Sequence, residues 1–147
     1  MDYLARREHS FFELSQKLSL KFPEAEASLI DQALSGLQAD GLQSDTRFTE
    51  SYIRYRKSRG FGYLHIRADL LSRGISETLL NDYLFIDDDD WRVIIDSRIC
   101  KKIGEDEALS FGSSQHRKLV RFLESRGFTS LEIRRALESR LEQFKMR

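Results

Sequence analysis

Apolar residues along this chain recur at the three- and four-residue spacing of a helical face, not at the alternation of a strand. Leu29, Ile30, Ala33, Leu34 and Leu37 trace one face, and Gly41 stands where that helix should end. Phe48, Tyr52 and Tyr55 trace a second, following Ser44-Asp45, which can cap it; Ile133, Leu137, Leu141 and Phe144 trace a third. The single proline, Pro23, sits where it can open a helix without losing a needed hydrogen bond. Ser10-Phe11-Phe12-Glu13 and Thr129-Ser130-Leu131-Glu132 read as capping boxes, hydroxyl and carboxylate each satisfying a free amide. The β-branched run Trp91-Arg92-Val93-Ile94-Ile95 suits a buried strand, but Trp91, Ile95 and Ile99 share a helical face and no partner strand exists, so it reads as helix. The segments 87–90 and 104–114 read as loops. The pattern predicts an all-α fold.

Within that pattern a phrase occurs twice. Leu70-Leu71-Ser72-Arg73-Gly74-Ile75-Ser76 is echoed by Leu123-Glu124-Ser125-Arg126-Gly127-Phe128-Thr129. Leu80, Tyr83 and Leu84 correspond to Ile133, Ala136 and Leu137 at the same offset of 53 residues. Repetition at fixed spacing marks a tandem array. The first fifty residues hold a weaker copy: Leu14 and Leu18 match Ile66 and Leu70, while Ile30, Ala33 and Leu34 match Leu80, Tyr83 and Leu84. There the offset falls from 52 to 50, so the loop around Lys21-Phe22-Pro23 is two residues longer, and the Arg-Gly turn is missing. Each repeat reads as three short helices, with boundaries expected at 1–43, 44–86 and 87–147. Gly74 and Gly127 are expected as left-handed helix C-caps, and Arg73 and Arg126 as positive charge covering helix C-termini.

A chain of 147 residues is one domain, or a short array of three repeats whose thin cores share interfaces. One cysteine, Cys100, excludes an internal disulfide and suits a reducing compartment; beside Ile99 it reads as inert core. No apolar run is long enough to span a membrane and the N-terminus lacks the apolar core of a signal peptide, so a soluble, cytoplasmic protein is expected. Net charge is zero, but as a sum of opposed blocks. Residues 47–73 carry net +5, residues 82–90 carry five aspartates and no base, and residues 117–147 again carry net +5. Arginine outnumbers lysine seventeen to seven, and its planar fork pairs well with carboxylates and phosphates.

The richest candidate site is the aromatic and basic segment from Phe48 to Tyr63. With Phe48, Tyr52 and Tyr55 inward, Arg54 and Lys57 fall on the far side and Arg56 and Arg59 flank it. Gly60 and Gly62 bracket Phe61 and would allow close approach of a partner. Such a segment can bind phosphates or a carboxylate-rich protein surface; a solvated helix face with ordinary core aromatics is the commoner origin of such a charge run. Asp87-Asp88-Asp89-Asp90 lacks the ligand spacing and glycine turn of a cation site. It reads instead as an acidic helix start, with Asp90 capping the helix from Trp91. His9, His65 and His116 have no metal-ligand spacing, and no nucleophile motif or phosphate-cradling glycine loop is present. Nothing supports catalysis, a metal or a cofactor.

The ordered motifs resemble those of one family. Tyr3-Leu4-Ala5-Arg6-Arg7-Glu8-His9-Ser10, with Glu13, Leu14, Lys17 and Leu18, is similar to the opening "L-ARRE-S--EL--KL" of bacterial RecX regulators. Asp45, Arg47, Phe48, Tyr52, Arg54 and Arg56 resemble its "D-RF---Y-R-R"; Gly60, Gly62, Ile66, Leu70, Arg73, Gly74 and Ile75 its "G-G--RI--EL--RGI"; and Arg121-Phe122-Leu123 with Arg126-Gly127-Phe128 its closing "RFL--RGF". His65 departs from the usual Arg or Lys, Tyr63 from Pro, and Asp69 from Glu. The resemblance implies three tandem three-helix repeats in an elongated, curved, all-α monomer. It implies a non-enzymatic regulator that binds the RecA filament, with single-stranded DNA met directly or through RecA. Such a regulator limits filament extension, ATP hydrolysis, strand exchange and LexA cleavage by occupancy. The contact residues expected are Arg54, Arg56, Lys57, Arg59 and Arg67, with Arg121 and Arg126 from the third repeat and Arg6 and Arg7 as weaker candidates. The competing reading is a free-standing helical DNA-binding module acting without RecA.

Overall fold

The computed structural model describes residues 6–104 and 108–141. Among them are eight α-helices: α1 (Phe11–Lys21), α2 (Ala27–Ala39), α3 (Asp45–Ser58), α4 (Tyr63–Ser72), α5 (Glu77–Tyr83), α6 (Asp90–Ile103), α7 (Ser114–Ser125) and α8 (Ser130–Glu138). The described residues contain no strand, only an isolated bridge between Leu109 and Leu141. The fold is all-α, with α3–α5 and α6–α8 as successive three-helix groups. The Trp91 to Ile95 run is helical, and Trp91, Ile95 and Ile99 are buried along it. By packing, the chain divides into two compact units. One gathers the chain up to Arg54 with Ala68–Leu84; the other gathers Tyr55–Arg67 with the chain from Phe85 onward.

In the first unit, both halves of the expected capping box form at α1. Ser10 Oγ accepts from the Glu13 amide at 3.0 Å and Glu13 accepts from the Ser10 amide at 3.1 Å. Leu14, Ile30 and Leu34 are buried together, with Phe11, Leu18 and Leu37 packed against them. Leu29 and Ala33, expected on that face, are exposed, so the buried stripe of α2 is narrower than its spacing suggests. Pro23 does not open α2. It takes the second position of a turn closed by the Ala25 amide on the Phe22 carbonyl, where its fixed φ is equally suited, and α2 starts at Ala27. Ser44 caps α3 by accepting from the Arg47 amide, while Asp45 reaches back to accept from the Phe11 amide at 2.8 Å.

The second unit buries Ile95, Ile99, Leu109, Leu119, Leu123, Phe128, Ile133, Leu137 and Leu141 in one cluster. Each such side chain contributes about 1.5–3 kcal/mol when fully buried. Thr129 and Glu132 form the second capping box. Ile133 and Leu137 are buried on α8, but that helix ends at Glu138; Leu141, expected on the same helical face, is buried beyond it in the bridge with Leu109, and Phe144 lies outside the described residues. At the start of α6, Asp90 is already the first helical residue. Asp88 accepts from its amide at 2.9 Å, so the cap comes from Asp88 and not, as expected, from Asp90. Cys100 is half-buried rather than core, and an Arg140 guanidinium nitrogen lies 3.3 Å from its Sγ.

The two Arg-Gly turns are alike in what they receive. In the first unit, Ser10 Oγ donates to the Arg73 carbonyl at 2.7 Å, and Phe12 packs directly on Gly74. In the second, the Gly62 amide donates to the Arg126 carbonyl at 2.7 Å, the Leu64 amide donates to the Gly127 carbonyl at 3.0 Å, and His65 packs directly on Gly127. Phe12 and His65 stand at the same 53-residue offset as the glycines they cover. Both glycines are left-handed, with φ of 80° and 97°, and a Cβ on either would collide with its neighbour.

Gly127→Ala is therefore expected to lower stability by about 2 kcal/mol or more, through a strained φ and a clash with His65 backbone. Gly36→Ala, in the interior of α2 with open space around it, is expected to raise stability by about 0.5–1 kcal/mol. Chemical denaturation of the two variants beside the parent chain checks both signs.

Candidate functional site

The same Gly62–Arg126 hydrogen bond that joins two segments of the second unit also brings their side chains together. The Arg126 guanidinium carbon stands 4.9 Å from the centre of the Phe61 ring and 5.1 Å from that of Phe122. Arg56 stands 4.6 Å from the Phe61 ring. From α6, Arg98 and Lys102 stand 5.3 Å and 4.2 Å from the Phe122 ring. Gly60, at φ 83°, makes room for this: the aliphatic stem of Arg98 lies where a Cβ at residue 60 would be. Gly60 and Gly62 do permit close approach, as their spacing suggested, but the approach is by Arg98 and by Gly127 with Phe128 of the same unit.

Two half-buried aromatic rings thus carry a cluster of positive charge from Arg56, Arg98, Lys102 and Arg126, with Arg59 beside it. Burial, then the charges of Arg126 and Arg59, press the Arg98 pKa below its ordinary value. No carboxylate among the described residues pairs with Arg59, Arg98, Lys102 or Arg126. Two like charges about 8 Å apart near a protein surface repel by about 2 kcal/mol, and each cation held over a ring recovers about 0.5–1 kcal/mol. The rings therefore offset much of the repulsion and hold the cations in place. An oxyanion entering the cluster would meet several preoriented donors at once.

Of the expected contact residues, the structure brings Arg56, Arg59 and Arg126 together. Arg54 is exposed in the other unit, Arg67 is half-buried on α4, and Arg121 is exposed on α7. Arg6 and Arg7 are exposed, with Arg7 3.3 Å from Glu13. Tyr55 is 57% exposed and does not continue the inward face of Phe48 and Tyr52. Sequence reasoning missed Arg98 and Lys102. Their signal is two like charges one helical turn apart, an arrangement that costs a helix stability and needs a reason. Among the described residues no group of three or more His, Cys, Asp or Glu could hold a metal, and no helix is long and apolar enough to cross a membrane.

Lys57 points inward instead of away. It donates to Asp88 at 2.6 Å and Asp90 at 2.9 Å, and stands 4.8 Å from the Trp91 ring. Burial opposes its charge, but the hydrogen bonds it donates to the two carboxylates outweigh this and hold Lys57 above its ordinary pKa. Burial likewise opposes the Asp88 charge, and Lys57 with the Asp90 amide holds it below the ordinary carboxylate value. Part of the aspartate run is thereby neutralised within the unit.

Comparison with known proteins places these features in a family. A RecX family model, that of the second three-helix domain, matches residues 44–84. The chain is 37% identical over 139 residues to the regulatory protein RecX of Xanthomonas campestris pv. campestris (strain B100), covering 95% of this chain and 83% of that one. It is 35% identical over 136 residues to the regulatory protein RecX of Chromohalobacter salexigens, covering 91% and 85%. A crystal structure of regulatory protein RecX matches with TM-score 0.76 at 20% identity, over 94% of this chain and 68% of that one. RecX from Lactobacillus salivarius matches with TM-score 0.71 at 18% identity, over 99% and 92%. At those identities the two structures share the fold.

The Lys57 pair has a pH signature. Asp88, depressed in the fold, contributes stability above its unfolded value near pH 4 that is lost as pH falls through its folded value; Lys57, raised, contributes below its unfolded value of about 10.4 and loses that as pH rises further. Lys57→Met is expected to cost about 1 kcal/mol at neutral pH, and the gap from the parent chain to narrow below about pH 4. Urea unfolding at neutral and acid pH measures it.

Proposed function

Because the chain belongs to the RecX family, we propose that it is a regulator of the RecA recombinase. It binds the RecA filament on DNA and limits filament extension. ATP hydrolysis, strand exchange and LexA cleavage fall with it, and so do recombination and the SOS response. The observation that carries this reading is the identity of more than a third with a regulatory protein RecX over nearly the whole chain. The action is occupancy by a monomeric cytoplasmic protein, without catalysis, metal or cofactor. The cationic cluster around Phe61 and Phe122 supports it, since a filament presents both DNA phosphates and protein carboxylates to a bound regulator. Of the contact residues expected from sequence, Arg56, Arg59 and Arg126 are the ones we assign to that surface, with Arg54, Arg67 and Arg121 as outlying contacts. Lys57 is given up to Asp88 and Asp90.

A free-standing DNA-binding module would use the same cluster, and dependence on RecA separates the two. RecA ATPase on single-stranded DNA is expected to fall as the chain is added. The Arg56→Glu/Arg59→Glu variant should need roughly tenfold more protein for the same inhibition, the effect of losing about 1.4 kcal/mol of contact. Far-UV circular dichroism should show helicity retained. Undiminished inhibition by the charge-reversed variant, or association with DNA that RecA does not alter, overturns the reading.

A further inference from the structure

The proposed function leaves open what the cluster touches, and leaves Arg98 and Lys102 without a role. Several features of the cluster bear on its ligand. First, Arg98 Nε is buried and has no hydrogen-bond partner among the described residues. A donor withdrawn from water and left unmatched costs about 1–3 kcal/mol, and an arriving acceptor that reaches it would relieve that cost. Second, α6 carries Arg98 and Lys102 one helical turn apart, and Arg126 shares the Phe122 ring with both. Residues so spaced lie about 5–6 Å apart at Cβ, so the positive charge is distributed along a line instead of focused on one point. Third, the faces of Phe61 and Phe122 are already taken by the cluster's own cations.

These features favour nucleic acid over an acidic protein face. A protein partner gains most from a desolvated apolar centre, and here the apolar surface is covered by charge. A guanidinium lying on a ring keeps its N–H donors in its own plane, suited to forked bonding with phosphate oxygens. Among the described residues Arg59, Arg98, Lys102 and Arg126 pair with no carboxylate, and such a group of cations matches the repeated charge of a phosphodiester chain.

We infer that Arg59, Arg98, Lys102 and Arg126 form a phosphate-binding site in the second unit that takes consecutive phosphates of single-stranded nucleic acid. The inference rests on the regulator reading only for its setting, because the site acts on the strand whether or not RecA is present.

The test is fluorescence anisotropy of a fluorescein-labelled oligothymidylate titrated with the full chain, without RecA, across a salt series. Each phosphate contact on a single strand contributes about 0.7 to the slope of log affinity against log salt. Arg98→Gln/Lys102→Gln is expected to make that slope shallower by about 1.4 and to weaken binding roughly tenfold at low salt. Arg92→Gln/Arg134→Gln, which removes the same charge from exposed positions elsewhere in the unit, should leave the slope nearly unchanged. Arg98→Lys/Lys102→Arg, which keeps both charges, should retain the parent slope. Because removing Arg98 relieves repulsion from Arg59 and Arg126, the melting temperature of the double glutamine variant should not fall, so lost binding is not lost folding. Equal slopes for the two glutamine variants overturn the phosphate site. If that equality comes with reduced inhibition of RecA ATPase by Arg98→Gln/Lys102→Gln, the cluster serves a protein surface and the regulator reading stands. If the slope changes while parent and variant alike fail to inhibit RecA, the phosphate site stands and the regulator reading falls.

Discussion

A carbonyl at the end of a helix needs a donor, and at both Arg-Gly turns the donor comes from a distant stretch of chain. Ser10 supplies it to Arg73 and the Gly62 amide supplies it to Arg126. That approach leaves no space for a side chain on the following residue, which also needs a left-handed backbone, so glycine satisfies two demands at once. The arginine before it is then fixed at the edge of the joint, with its guanidinium over a nearby ring: Tyr52 at 4.9 Å for Arg73, and Phe61 at 4.9 Å for Arg126. The repeated phrase is a repeated way of docking one segment onto another, and the side-chain chemistry is built on it.

The two copies differ in what neutralises the arginine. Glu13 pairs with Arg73 while its own backbone and side chain complete the α1 capping box. Burial opposes the charge of Glu13, yet the Arg7 hydrogen bond, the Ser10 amide and Arg73 outweigh it and hold the carboxyl below its ordinary pKa. At the corresponding place in the second unit stand His65 and Ile66, neither of them a carboxylate. Arg126 therefore has no acid paired with it among the described residues, and Arg98, Lys102 and Arg59 add further positive charge. One joint pairs its arginine with an acid, and the other holds positive charge that no carboxylate among the described residues pairs with. The difference arises from a single missing acid and not from a change of fold.

Much of the fold was readable from spacing because local rules decided it: two capping boxes, two glycine caps and the periodicity of α6 all formed as their residues predict. The failures have a common cause. Tyr55 continues the spacing of Phe48 and Tyr52, but its side chain is exposed, and spacing alone does not say where the covered stretch of a helix stops. Pro23 suits a helix start and a turn equally, and only the Ala25 amide on Phe22 chooses between them. The candidate site was half legible for the same reason. Arg56, Arg59 and Arg126 stood out as charges beside aromatic residues, whereas Arg98 and Lys102 join them only because Gly60 admits the Arg98 stem, a contact between residues nearly forty apart. Lys57 was misplaced because its partners lie more than thirty residues away, in the aspartate run.

That last contact changes the meaning of a net charge of zero. A balanced chain has no net field to draw it toward a polyanion, provided that acids and bases are equally exposed. Here they are not used alike. Asp88 and Asp90 spend charge on Lys57 within the second unit, and Glu13 spends its own on Arg73 and Arg7 within the first, so these acids are consumed inside each unit. The cations around Phe122 have no such partners among the described residues. Within about a Debye length, some 8–10 Å at physiological salt, a ligand responds to this local excess and not to the total. A neutral protein can in this way present a locally positive site, because Glu13, Asp88 and Asp90 are paired within the fold while Arg98, Lys102 and Arg126 are held by aromatic rings instead.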